Sequence, residues 1–172
     1  MSFLELARKR SSVRKYQSKA VECDKINMIL EAGRVSPTAA NLQPNHFLVL
    51  TDSEDMEKLN KGTNPHGATL AIIICTDKNT SWIRPYDNAS MIEVDATIAT
   101  DHMMMCAEDL GLGSCWLTYF DPTVIRNEFN IPCNLVPVNI LAIGYPDGDL
   151  ASPSRHSTTR KALNDMVHYK SF

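Results

Sequence analysis

Residues 10–14 place two guanidinium groups, Arg10 and Arg14, on either side of a hydroxyl, Ser12. In an extended chain successive side chains alternate, so Arg10, Ser12 and Arg14 point to one side and could bind the oxygens of a phosphate monoester. The same run also reads as an ordinary solvated basic face following a helix, and spacing alone leaves both readings open. A second constellation lies in residues 36–45, SPTAANLQPN, which contain almost nothing large. Small residues such as Thr38 and Ala39 let a flat ligand lie against the backbone. If the loop is extended, Asn41 and Gln43 turn their amides toward that ligand's polar edge. The alternative is that these amides satisfy the backbone of a solvated turn.

Other patterns carry less chemistry. Residues 111–116, GLGSCW, resemble a dinucleotide fingerprint only in part, because the third glycine is missing and the segment runs from helix to strand. Nor do they have the glycine spacing of a nucleophile elbow. The histidines (His46, His66, His102, His156 and His168) form no HxxxH or HExxH pair, so no metal site is expected. Cys115 could serve a thiol enzyme, although a cysteine between Ser and Trp in a strand is more often packing. No acid-base dyad stands out, so no side chain is assigned as catalytic.

The elements that must position these residues come from length and periodicity. At 172 residues the chain reads as one domain, 1–172. Its net charge of -3 offers no broad attraction to nucleic acid or anionic membrane. Five scattered cysteines fit reduced core thiols, and the N-terminus lacks the pattern of a cleaved leader; the expectation is a cytoplasmic protein. Residues 2–9 read as a short helix and 11–16 as extended. Asp24 reads as the N-cap of a helix carrying Ile26, Ile29, Leu30 and Gly33.

Beyond the small-residue loop, 46–51 reads as a strand, 53–61 as a polar helix and 68–76 as a central strand rich in β-branched residues. Residues 89–110 read as a long helix, apolar on several sides and therefore buried, closed by Gly111. Residues 114–120 and 137–145 read as strands, Asp121-Pro122 as the cap and first turn of a helix through Phe129, and 160–169 as a C-terminal helix. The long tail after the last strand suits packing on a second subunit, so a homodimer is expected.

Together these motifs resemble the FMN-dependent nitroreductase family, in the right order and over nearly the whole chain. Arg10-Ser11-Ser12-Val13-Arg14-Lys15-Tyr16 is similar to its N-terminal phosphate motif, and SPTAANLQPNHF to its small-residue loop. GLGSCWLTYFDP is similar to the segment along the flavin ring, VNILAIGYP to the last core strand, and RKALNDMVHY to the Arg-containing tail. The resemblance implies an α+β fold, a three-layer α/β/α sandwich with a mixed, mainly antiparallel sheet, dimeric with exchanged C-terminal tails. It also implies FMN at the subunit interface. There Arg10, Ser11, Ser12 and Arg14, joined by Arg160 and Lys161, would hold phosphate, ribityl and nearby polar ring atoms. Pro37, Thr38, Ala39, Asn41 and Gln43 would contact the flavin, partly from the second subunit, with Trp116, Leu117 and Thr118 along the ring.

Arg155 competes with Arg160 for the tail's phosphate role. Asn45 stands where many members have Trp, and the short chain leaves little room for a lid. The implied activity is ping-pong electron transfer from NAD(P)H to a small electron-poor acceptor such as a nitroaromatic or quinone. A flavin-binding sensor without turnover, or the same fold performing reductive dehalogenation or flavin breakdown, are the alternatives.

Overall fold

β2 (Leu70–Asp77) is buried along both faces, and that burial organises the fold. The computed structural model describes residues 1–172. Strand β1 (Asn45–Leu50) pairs with β2, β2 with β4 (Leu135–Gly144) and β4 with β3 (Gly113–Leu117), giving the order β1-β2-β4-β3 with every ladder antiparallel. Successive side chains of β2 and β4 point to opposite faces. Ile72, Ile74, Leu141 and Ile143 pack toward α2 (Cys23–Arg34) and α4 (Ile92–Asp109). Ile73, Cys75, Ile140 and Ala142 pack toward α3 (Ser53–Asn60) and α5 (Pro122–Glu128). The sheet is thus the middle of three layers, and the apolar run 68–76, read as a central strand, takes that place because neither of its faces is left to water. No helix is long and apolar enough to cross a membrane.

Local chemistry sets the element ends. Helix α1 (Phe3–Lys9) begins with a capping box: Ser2 Oγ accepts from the Glu5 N–H, and the Ser2 N–H donates to the Glu5 carboxylate. Gly111, at φ +77°, ends α4, with the Gly111 N–H donating to Glu108 O and the Leu112 N–H to Ala107 O. This is a Schellman ending, and buried Leu112 supplies its apolar contact. Asp121 caps α5 by accepting from the N–H groups of Thr123 and Val124. Between α1 and α2 the extended chain lies beside β3: the Val13 N–H donates to Ser114 O at 2.9 Å, and Ser12 forms a single parallel bridge with Ser114.

Four local expectations need correction. Helix α2 starts at Cys23, so Asp24 lies inside its first turn; the capping position is Glu22, which makes no side-chain cap. The Glu22 carboxylate is instead taken by the Tyr145 hydroxyl at 2.6 Å and by Lys19 at 2.9 Å. Strand β3 stops at Leu117 rather than 120, and α4 begins at Ile92 rather than 89. The expected helix over 160–169 is absent; the tail holds only a turn of helix, α6 (His156–Thr159), and 3₁₀ turns at Pro153–Arg155 and Leu163–Asp165. Leu163, Met166, Tyr169 and Phe172 are all exposed. With no apolar face packed, so short a segment gains too little to hold an isolated helix.

A methyl group on Gly113 would lie 2.6 Å from Val13 Cγ2 and 2.9 Å from Pro146 Cγ. Gly113→Ala should therefore lower stability by about 1–3 kcal/mol in urea titrations, because the strand of residues 11–16 must move off β3. The Tyr145 hydroxyl, followed by Lys19, holds the Glu22 carboxyl down at about 2 against its ordinary 4.5. A depressed carboxyl stabilises the fold above its unfolded value and loses that contribution as pH falls through the folded one. Tyr145→Phe should accordingly be less stable than the parent near neutrality, with the gap closing as the urea midpoint is followed from about pH 5 toward 2.

Candidate functional site

The alternation expected in residues 10–14 is present. Ser11 and Val13 are buried, whereas Ser12 and Arg14 face outward, and Arg10 forms the C-cap of α1. Residues 11–15 face the connection after β4 across a cleft of about 230 Å³, closed at one side by the ion pair of Lys15 with Asp147 at 2.6 Å. The tail returns to this place. One Arg155 nitrogen donates to Arg10 O at 2.6 Å, the other to Ser152 O at 2.9 Å, Ala151 O at 3.2 Å and Arg8 O at 3.5 Å. Arg155 is thus spent on backbone carbonyls of its own turn and of the C-terminal end of α1, where a cation also meets the helix dipole. Arg160 and Lys161 are exposed, and neither forms a hydrogen bond or ion pair.

The ring-type segment begins where β3 bridges to Ser12 and runs four residues on to Thr118, roughly 13 Å along the strand. Trp116 is half-buried; its Nε1–H donates to Asn139 Oδ1 at 2.9 Å. Asn139 in turn donates to Thr100 Oγ1 at 3.1 Å, and the Thr100 hydroxyl donates to Ala96 O at 2.7 Å. Leu117 points the other way, into the core with Cys115 and Ile140, so only its backbone is available to a ligand. Trp116 and exposed Thr118 line a cavity of about 750 Å³ together with Glu93, Thr97 and Asn139. This space exists because β3 pairs only with the second half of β4, leaving the edge from Leu135 to Asn139 open.

The small-residue loop departs from its expected form. Ala40, Asn41 and Gln43 take φ of 51°, 55° and 53°, the left-handed region, so the loop is not extended and does not present its two amides as alternate side chains of a strand. Within the loop, the Gln43 N–H donates to Thr38 Oγ1 at 3.0 Å and Gln43 Nε2 to Asn41 O at 3.2 Å. Asn45, which stands where many members of the resembled family have Trp, has both ends of its amide occupied. Its Nδ2 donates to Asp95 O at 3.0 Å, and its Oδ1 accepts from the Thr76 hydroxyl at 3.0 Å. It ties β1 and β2 to α4.

These parts do not converge within one chain. The loop leads into β1, at the opposite edge of the sheet from β3, three strand spacings or roughly 14 Å away. Asn45 also lies at the end of the sheet where Thr76 pairs with Val136, whereas Gly113 and the bridge to Ser12 lie at the end marked by Gly144. Cys115 is 3% exposed, and burial raises its thiol pKa despite the nearby Arg14 and Arg10. A buried, protonated thiol argues against the thiol-enzyme reading. No group of three or more His, Cys, Asp or Glu side chains could hold a metal ion. Two residues of the site region escaped the sequence analysis: Asn139, and Asp95, whose one legible signal was a carboxylate set in a helix apolar on several sides.

Known proteins share this fold. The model of the Nitroreductase family matches residues 7–64 and 58–145. A nitroreductase family protein from Clostridium difficile 630 superposes with a TM-score of 0.98 at 44% identity, covering 100% of both chains. An FMN-dependent nitroreductase from Clostridium difficile R20291 superposes with a TM-score of 0.82 at 30% identity, covering 98% of this chain and 99% of that one. A protein of Methanothermobacter thermautotrophicus, provisionally named NADH dehydrogenase/NAD(P)H nitroreductase, is 32% identical over 90% of this chain and 85% of its own length. By motif order, fold and sequence alike, the chain belongs to the nitroreductase family of oxidoreductases.

Proposed function

We propose that residues 1–172 act as one FMN-binding domain in a homodimer, transferring electrons from NAD(P)H to a small electron-poor acceptor such as a nitroaromatic or quinone. The observation that carries this reading is the division of the site. Cations and hydroxyls suited to a phosphate stand at one end of β3, the ring-type segment stands at the other, and the small-residue loop lies across the sheet. Two copies bring the third part to the first two. Exposed apolar side chains in the tail support the same pairing, with tails exchanged between subunits.

The donor set fits FMN. Arg10, Ser12 and Arg14 would hold its phosphate and ribityl groups with their side chains, and Ser11, whose side chain is buried, with its backbone. Arg160 and Lys161 supply unengaged cations in the tail, whereas Arg155 is already committed to carbonyls. Ser114 Oγ, buried beside Ser12 without a partner, is a further hydroxyl in the same place. Pro37, Thr38, Ala39, Asn41 and Gln43 of the second subunit would border the ring, with Trp116, Thr118 and the Leu117 backbone on the other side. When bound, FMN supplies hydride chemistry at N5, taken from a nicotinamide and passed in a separate step to the acceptor. Arg14 would place positive charge near N1 and C2=O, stabilising negative charge there. No side chain need act as acid or base, which matches the lack of a dyad.

The purified protein should be yellow, or turn so with added FMN, and should oxidise NADH or NADPH in the presence of a quinone. A chain that stays colourless overturns the reading. Arg10→Ala should weaken FMN binding by about 2–4 kcal/mol in a flavin-fluorescence titration, as expected for a charge-assisted phosphate contact.

A further inference from the structure

The small-residue loop holds an unfavourable shape through very few bonds. Three residues other than glycine adopt left-handed backbone in the six residues from Thr38 to Gln43. Such conformations cost of order 1 kcal/mol or more each and persist only where the surroundings over-determine them. Over that stretch, the hydrogen bond that reaches beyond the loop is the Ala39 N–H to Asp95 Oδ1, at 2.9 Å. The other end of the loop is tied to the same residue, since Asn45 Nδ2 donates to the Asp95 carbonyl. The far end is also held by β2, through the Asp77 N–H to Pro44 O at 2.8 Å and the Thr76 hydroxyl to Asn45 Oδ1, so the Asp95 carboxylate matters at the Ala39 end, where it is the outside anchor.

The carboxylate lies in the first turn of α4, where the helix dipole favours negative charge, but it is otherwise a costly structural staple. Asp95 is 0% exposed, forms no ion pair, and its Oδ2 is buried without a partner. Burying an unpaired carboxylate is unfavourable, and a neutral acceptor would anchor α4 to the loop at lower cost. What the carboxylate adds is a stronger, more directional acceptor for one loop N–H.

We propose that Asp95 is a positioning residue that holds residues 38–43 in the shape that borders the flavin ring. This rests on the FMN reading above. Asp95→Ala should weaken FMN binding about 10- to 100-fold, the range for losing a hydrogen bond to a charged group, and Asp95→Asn should restore affinity to within about threefold of the parent. Because the loop would meet the ring rather than the phosphate, riboflavin affinity should fall by the same factor, whereas Arg10→Ala should weaken FMN and spare riboflavin. Ala39→Pro removes the donor without touching the buried helix, at a first-turn position that proline tolerates. It should reproduce the loss, and adding Asp95→Ala to it should lower affinity no further.

Should Asp95→Ala fail to fold, Ala39→Pro and Asp95→Asn decide together, because Ala39 itself borders the proposed ring: the first should lose affinity and the second keep it. Unchanged FMN affinity in Ala39→Pro overturns the proposal, as does a lowered melting temperature of the flavin-free Asp95→Ala protein with affinity intact. An Asp95→Asn variant as weak as Asp95→Ala also overturns it, because the acceptor would then be present without effect. A parent protein that binds no flavin overturns instead the functional reading beneath it.

Discussion

The candidate site depends on a mismatch of strand lengths: β4 has ten residues and its outer neighbour β3 has five. The pairing runs from Ile140 to Gly144, where the N-terminal extended segment docks, and then stops. What stops it is the exit of β3. The Thr63 hydroxyl donates to Tyr119 O at 2.8 Å and the Asp121 N–H donates to Gly62 O at 2.9 Å, pulling the chain off the sheet before Asp121 and Pro122 start α5. The open half of β4 and the first turns of α4 then border the large cavity beside Trp116. Hydrogen bonds on the α5 side of the sheet thus set the space available on the α4 side.

That space has a rigid floor and a less determined rim. Trp116, Asn139 and Thr100 pass hydrogen bonds from β3 through β4 to α4, so the indole orientation is coupled to the buried helix. Such a chain fixes orientation because a buried polar group left unmatched is costly. At the rim, Thr118 is exposed and Tyr119 stands almost wholly in solvent on a backbone held by Thr63. Floor residues are committed to one another, and rim residues are left to whatever enters.

Most of the layered fold could be read from the chain because its determinants are local. The unbroken apolar run of β2, the Asp121-Pro122 start of α5 and the Gly111 ending of α4 each act within a few residues. The alternation in residues 10–14 was legible for the same reason. The shape of the small-residue loop was not, because Asn41 alone is of a type that favours the left-handed region, and nothing in SPTAANLQPN signals it for Ala40 and Gln43. Its outside anchor, Asp95, lies 56 residues further along the chain from Ala39. The role of Asn45 was hidden likewise, since its partners belong to α4 and β2. The tail was overread as a helix because periodicity says which face could be buried and not whether anything covers it.

The tail and the loop bear on the same question. Arg155 and His156 strap the start of the tail to carbonyls at the end of α1, the His156 ring nitrogen lying 3.0 Å from Arg8 O. The tail therefore leaves from beside the phosphate-type residues, and past Thr159 its apolar side chains find no cover on their own chain. Meanwhile the small-residue loop, held by its anchor on α4, lies at the far edge of the sheet from the phosphate-type residues and β3 of its own chain. A monomer would leave both an apolar tail in water and a preorganised loop without a ligand. The proposed pairing of chains would resolve both at once, so that proposal draws on packing as much as on chemistry.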